Sequence, residues 1–317
     1  MFANGAERAG YRYYATGPYG TNAEPYDGRP ASIQDGFNFQ GDKNRSKWST
    51  LVREIPRALE TGKLDLRPEC HATRITHDAT GKVDGVEYLD ASGNLHKQAA
   101  RVVCLAGNSI ESPRLLLLSA SSQHPDGLAN SSGQVGRNYM RHMTGSAYAR
   151  FDQPVHMYRG ETMAGIIADE AKLDTGRGFV GGYYMETLSL GPAFLAAFVE
   201  PGEWGRSFTE KMDAYRNTAG MWIVGEDMPQ ESNRVTLHDS VKDQHGLPVP
   251  NVNFDDHPND VAMRNHGYAA ADAIYGAVGF GALAPWLAAR RQKIAFAALA
   301  DSLASAIAIG QALGRWG

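Results

Sequence analysis

The stretch at residues 101–119 (RVVCLAGNSIESPRLLLLS) constrains the fold of this chain most. The apolar run 101–105 reads as a short strand, and Ala106-Gly107-Asn108 as a sharp turn. Ser112 then reads as a helix N-cap, Pro113 as the first helical position and Leu115 to Leu118 as helix. A strand ending in small residues lets backbone approach a bound group, and the next helix offers free N–H groups and a positive dipole end. That geometry suits a nucleotide but also serves ordinary strand-to-helix connections. No Gly-x-Gly-x-x-Gly opens a βαβ unit here to decide the matter.

The rest of the chain predicts mixed structure. Residues 10–41 are crowded with Gly, Pro, Asn, Asp and Tyr and read as irregular loop. Apolar residues at helical spacing predict a short helix over 48–59, with Pro56 shortening or kinking it. Residues 64–105 read as a small antiparallel excursion, with turns at 79–82 and 91–94. Short strands follow to about Pro258, including 180–186 (VGGYYME) and 232–238 (SNRVTLH), and then a helix over 260–276. The expected organisation is a loop-rich segment with a short helix at 1–61, an α/β domain at 62–142, a sheet domain at 143–258 and a helical tail at 259–317. No internal repeat is present.

Composition excludes several classes. Hydrophobic residues at 43% and charged residues at 21% are those of an ordinary globular protein rather than a disordered one. A formal net charge of −4, with Lys and Arg dispersed, supplies no field for nucleic acid, so none is expected as a partner. Cys70 and Cys104 are too few for a disulfide framework or thiolate metal site, and buried free thiols are expected. The start has no apolar signal region, and the compartment stays open. Residues 294–314 are nearly long enough to span a bilayer, but Asp301 would cost roughly 2.5–3.5 kcal/mol at its centre, so a packed helix is expected. No metal site is expected. The ten histidines form no His-x-x-x-His or Glu-x-x-His pattern, and the nearest pair, His71 and His77, is six residues apart. His96, His124, His156, His238, His245, His257 and His266 read as surface or loop residues. Asp255 and Asp256 would point to opposite faces of a strand, which argues against joint acid–base work.

Two blocks in order carry a resemblance. Ser112-Pro113-Arg114-Leu115-Leu116 follows the Ala-Gly turn, and Ser132 leads into Val135-Gly136-Arg137-Asn138 and then His142. Both resemble segments of the glucose-methanol-choline (GMC) family of FAD-dependent oxidoreductases. His71-Ala72-Thr73-Arg74-Ile75 resembles that family's strand against the adenine of FAD, and 227–235 (DMPQESNRV) a segment of its substrate domain. The resemblance covers about 4–279 and looks closest to bacterial sugar and polyol dehydrogenases. It implies a partial Rossmann-like FAD domain at 62–142, a substrate domain on an antiparallel sheet at 143–258, and FAD contacts at Ala72, Thr73, Ala106, Gly107 and Asn108. It also implies a sugar or alcohol substrate oxidised at CH–OH, and a possible cytochrome electron-acceptor subunit. The competing readings are a non-catalytic binding module and an NAD-linked dehydrogenase.

The departures are expectations too. The family's glycine fingerprint would precede Met1, and its catalytic His with a partnering His or Asn would follow the helix containing His266. From 280 to 317 the sequence has no His, Asn or Cys. The catalytic residues are therefore unassigned. His142 is the histidine best placed by the resemblance, with a structural hydrogen-bonding role expected for it. The expectation is a fragment that is inactive and poorly soluble alone, with a reading-frame change after about Gly279 favoured over a genuinely divergent end.

Overall fold

The computed structural model describes residues 2–34, 41–192, 195–196 and 202–278. In chain order the elements are α1 (Phe2–Arg8), β1 (Tyr14–Thr16), α2 (Glu54–Glu60), β2 (His71–His77), β3 (Val83–Leu89), β4 (Leu95–Ala99), α3 (Asn108–Leu118), β5 (Met143–Arg150), β6 (Gly165–Ile167), β7 (Tyr183–Leu188), α4 (Gly205–Asp213), β8 (Thr218–Gly225), β9 (Arg234–Lys242), β10 (Pro248–Asn253) and α5 (Pro258–Val278). The fold is thus mixed α/β of the α+β kind. Every strand pairing among the described residues is antiparallel.

Two compact units interleave along the chain. The first gathers the described parts of 1–60, 142–227 and 258–317, and the second gathers 61–141 and 228–257. In the first unit a five-stranded sheet runs β1-β6-β7-β8-β5. One of its faces presents Met143, Ile167, Tyr183, Met185, Met221 and Ile223 to Met263, Ala270, Ala271 and Ile274 of α5, and all of these are buried. Strand alternation puts the first set on one side, and the helical spacing of 263, 267, 270, 271 and 274 turns one stripe of α5 toward it. Each Met or Ile side chain among them contributes roughly 1.5–3 kcal/mol by leaving water.

The second unit holds two smaller sheets, β2-β3-β4 and β9-β10, with α3 packed on them. Its hairpins turn where Asp begins the loop. Asp78 Oδ1 accepts from the N–H groups of Thr80 and Lys82, and Asp90 Oδ1 from those of Ser92 and Asn94. Asx turns of this kind close the loop without outside help.

Several expectations need correction. The helix expected over 48–59 forms only from Glu54, because Trp48 N–H donates to Gly20 O (2.7 Å) and Lys47 bridges Thr21, which ties the preceding residues into loop. The strand expected at 101–105 does not form. A strand needs a neighbour, and among the described residues this stretch pairs with none, leaving Val102 82% exposed. Cys70 and Cys104, expected to be buried, are exposed free thiols, one in the bend before β2 and one in that unpaired stretch. α3 begins four residues before Ser112. Asn108 adopts a left-handed backbone (φ 67°), and its Oδ1 accepts from Ile110 and Glu111 N–H, so it ties the first turn where Ser112 was expected to. Ser112 Oγ instead accepts from Gly107 N–H (3.1 Å), and Pro113 sits inside the helix.

Candidate functional site

The five residues expected at FAD all fall in the second unit. β2 pairs Ala72 with Tyr88 and Arg74 with Glu87, so Thr73 is the extra residue of a β-bulge, its hydroxyl donating to Glu87 O (3.2 Å). A bulge withdraws one residue from the ladder and re-aims its backbone, a device common beside binding sites. Ala72 is exposed and Thr73 half-buried. β2 and α3 run side by side in the same direction, with His71 near Arg114 through Asp243, and Ile75 N–H donating to Ser119 Oγ (2.9 Å). Ala106 and Gly107 precede α3 and Asn108 opens it, so they lie toward and beyond the start of β2 rather than directly beside Thr73.

The free N–H groups expected at the start of α3 are partly spoken for. Ile110 and Glu111 donate to Asn108 and Gly107 to Ser112, and the carboxylate of Glu111 adds negative charge to the same turn. Fewer donors are therefore left free at this turn than the sequence suggested.

The two sequence blocks that carried the resemblance act as clamps. Arg114 is buried on α3. Its guanidinium donates to Asp243 (2.6 Å), to Glu111 (3.0 Å) and to the carbonyl of Pro248 (2.9 Å), tying α3 to the β9–β10 hairpin. Burial opposes its charge, but the hydrogen bonds to Asp243 and Glu111 outweigh that and raise its pKa. Burial likewise works against the Asp243 carboxylate, and the Arg114 bond overcomes it and lowers that pKa. His71 lies 4.7 Å from His245 ring to ring, and burial, with that neighbour, lowers its pKa. Gly136 sits at φ 80°, where a Cβ would collide with the carbonyl oxygen of Val235. Val235 N–H donates to Gly136 O (2.7 Å), and Arg137 pairs with Glu231 (3.0 Å). The glycine of one family block and the valine that ends another are therefore in direct contact.

The sequence reading missed the second face of the five-stranded sheet. Opposite α5, cross-strand register aligns Ser146, Trp222, Glu186 and Ile166 in one row, Thr144, Val224 and Tyr184 in the next, and Tyr148, Gly220 and Leu188 in a third. Glu186 is 2% exposed, and burial alone raises its pKa. Among the described residues it makes no hydrogen bond or ion pair. Tyr184, two residues away on the same face, is raised by burial and by Glu186 itself. The signal was available: in YYMETL the alternation puts Tyr184 and Glu186 on one face while Tyr183 and Met185 take the apolar one.

His142 is exposed and makes no hydrogen bond among the described residues, contrary to the structural role expected for it. It lines a cavity of about 580 Å³ with Tyr184, Val224 and Glu226. His266 was expected at the surface. It is half-buried on α5, with Nδ1 2.8 Å from Tyr183 Oη and its ring against Phe179.

Residues 1–144 match the family described as GMC oxidoreductase. The 2-methyl-1,2-propanediol dehydrogenase of Mycolicibacterium austroafricanum is 36% identical over 269 residues, covering 80% of this chain and 48% of that protein. The fructose dehydrogenase large subunit of Gluconobacter japonicus is 27% identical over 247 residues, 75% of this chain and 44% of that one. The chain thus spans about half the length of the curated relatives it matches. Residues 255–317 match a second family, prolipoprotein diacylglyceryl transferase. The phosphatidylglycerol–prolipoprotein diacylglyceryl transferase of Streptomyces griseus subsp. griseus is 57% identical over 44 residues, 14% of each chain. This second match covers the stretch after Gly279 for which a reading-frame change was expected. The packed helix expected at 294–314 lies outside the described residues.

Proposed function

Since the chain belongs, through residues 1–144, to the GMC oxidoreductases, a family of FAD enzymes, we propose that it serves the oxidation of a CH–OH group on a small polyol or sugar. The observation that carries this reading is the 36% identity, sustained over 269 residues, to a diol dehydrogenase. Bound FAD supplies the acceptor for the hydride leaving the carbinol carbon. In this reading Ala72 and Thr73 meet the adenine end of FAD through the backbone freed by the bulge, and Ala106, Gly107 and Asn108 approach a neutral part of it through a turn too small to obstruct. Electrons would then pass to a partner subunit, a cytochrome by the family resemblance; the relative named as a large subunit supports a partner.

The test is to titrate the full chain into FAD and follow flavin fluorescence, then assay dye reduction with 1,2-propanediol and with fructose. Quenching that saturates and is weakened by Gly107→Val is expected; dye reduction by this chain alone with either donor would overturn the expectation that it is inactive by itself. Nicotinamide-dependent turnover in place of flavin uptake would overturn the reading.

A further inference from the structure

Like charges placed directly opposite each other on paired strands are destabilising unless an anion answers them. Arg137 and Arg234 are placed so: they form an isolated antiparallel bridge, and residues opposite each other in such a bridge send their side chains to the same face. The pairing is held by Val235 N–H donating to Gly136 O (2.7 Å). One carboxylate serves the two guanidiniums. Glu231 Oε2 accepts from Arg137 Nη1 (3.0 Å), whereas Arg234 Nη2 donates to the Glu231 main-chain carbonyl (3.1 Å) and meets no carboxylate among the described residues. The Glu231 side chain is 70% exposed, so water competes with Arg137 for it.

Both arginines line a cavity of about 700 Å³ in the second unit. Leu117, Val235 and Leu237 give it an apolar wall, with Val235 buried. Its exposed rim carries Ser131 and Ser132, whose hydroxyls make no hydrogen bond among the described residues, so the cavity is open to solvent on the side where donors stand. The rim loop is braced from within: Asn130 Nδ2 donates to Asp126 O (2.7 Å), and Asn130 Oδ1 accepts from Val135 N–H (3.0 Å). Asp126 is the acidic residue of the lining, and it too is exposed. A guanidinium is a planar fork of five N–H donors that matches phosphate geometry. Two such forks and two hydroxyls exceed what the two oxygens of a carboxylate can take. A phosphate monoester offers three oxygens and about −1.5 to −2 charge at pH 7.

We propose that this cavity binds a small phosphate monoester, its phosphate across Arg137 and Arg234 and its organic part on the Leu117–Leu237 wall. The site goes beyond the oxidoreductase reading and is separate from the residues assigned to FAD. Leu117 stands roughly 14 Å of helix rise along α3 from Asn108, at the other end of the helix.

The test is calorimetric titration of the full chain with phenyl phosphate, inorganic phosphate and phenol. Phenyl phosphate should bind saturably and more weakly as KCl is raised, inorganic phosphate less tightly for want of the apolar wall, and phenol not at all. Arg234→Gln should weaken phenyl phosphate about tenfold, the loss of a charged hydrogen bond. Glu231→Gln should instead tighten it about threefold, because Arg137 is released from a competing exposed anion. Glu231 is exposed, so this second variant keeps the test decisive should Arg234→Gln fail to fold. Phenol binding as well as its phosphate, or a Glu231→Gln protein no tighter than the parent, would overturn the proposal. Displacement of phenyl phosphate by an equivalent of FAD would also overturn it, by giving the cavity to the flavin's own phosphates.

Discussion

In the unit made of 61–141 and 228–257 the buried ties between distant segments are polar: Arg114 to Asp243 and Pro248, Ile75 to Ser119, Asn233 to Asp255. In the unit built on β5 to β8 and α5 apolar ties carry most of the burial, from Met143, Ile167, Met221 and Ile223 to Met263 and Ile274, with Tyr183–His266 a polar tie beside them. Hydrophobic burial is non-directional and tolerates small displacement, whereas a buried guanidinium must find each acceptor at hydrogen-bond length or be left unsatisfied. The polar unit can therefore hold turn and bulge geometry such as Thr73 and Asn108 in place without a large core. The apolar unit carries on the sheet face away from α5 a buried carboxyl, Glu186, that has no partner among the described residues.

The largest expected effect tests the apolar half. Ile274→Ala removes a side chain that is 1% exposed and should cost about 4 kcal/mol through lost transfer energy and the cavity left behind. Denaturant unfolding with hydrogen exchange should confine the loss to the sheet and α5. Equal loss of protection in β2 and β9 would break the division between the units.

The complementary substitution is Arg114→Met, which fills the space but leaves Asp243 and the Pro248 carbonyl without their donor. Its cost should be about 3 kcal/mol, toward the low end for a broken buried pair because Asp243 keeps some exposure. Gly136→Ala should follow at about 2 kcal/mol, the sum of a left-handed backbone for alanine and a Cβ driven at Val235. Both losses should register by exchange in α3, β9 and β10. A Gly136→Ala protein as stable as the parent would mean that the 135–138 turn relaxes without disturbing β9.

How much of this was legible beforehand differs between the halves for the same physical reason. The turns at 79–82 and 91–94 were legible because turn chemistry is local, and the antiparallel excursion followed from them; the capping roles of Asp78 and Asp90 were not read. The helix over 260–276 was legible in its composition, though its buried stripe was not read. The family blocks Ser112–Leu116 and Val135–Asn138 were legible as motifs, but not the clamping roles of Arg114 and Gly136, because Asp243, Pro248 and Val235 lie about a hundred residues on or more. The start of α3 was misread since Ser112 and Asn108 are both good caps and only the backbone of Asn108 decides. Glu186 escaped because a glutamate in a strand looks exposed until the register shows Ile166 and Trp222 beside it.

The smallest effect, and the sharpest contrast, is the response to pH. In the polar unit Asp243 has its pKa lowered in the fold against burial by the Arg114 bond, and Asp78 and Asp84 have theirs lowered first by side-chain hydrogen bonds from Thr80 and Thr76. A depressed carboxylate contributes stability above its unfolded pKa, and that stability is lost as pH falls through the folded value. In the apolar unit Glu186 is shifted the other way by burial, with Tyr184 the titratable neighbour on its face. Its contribution is whole below the ordinary glutamate range and declines as pH rises toward the folded value, because the unfolded chain releases a proton the folded one retains. Acidification from neutral pH should therefore weaken hydrogen-exchange protection in β2, β3 and α3 before that of β7 and β8. Glu186→Gln should stabilise β7 and β8 at neutral pH, and the gain should shrink as the pH drops below the carboxylate range. A gain that instead grows on acidification would mean that Glu186 is held as a carboxylate, paired in the fold, and that the contrast between the two units does not extend to their charges.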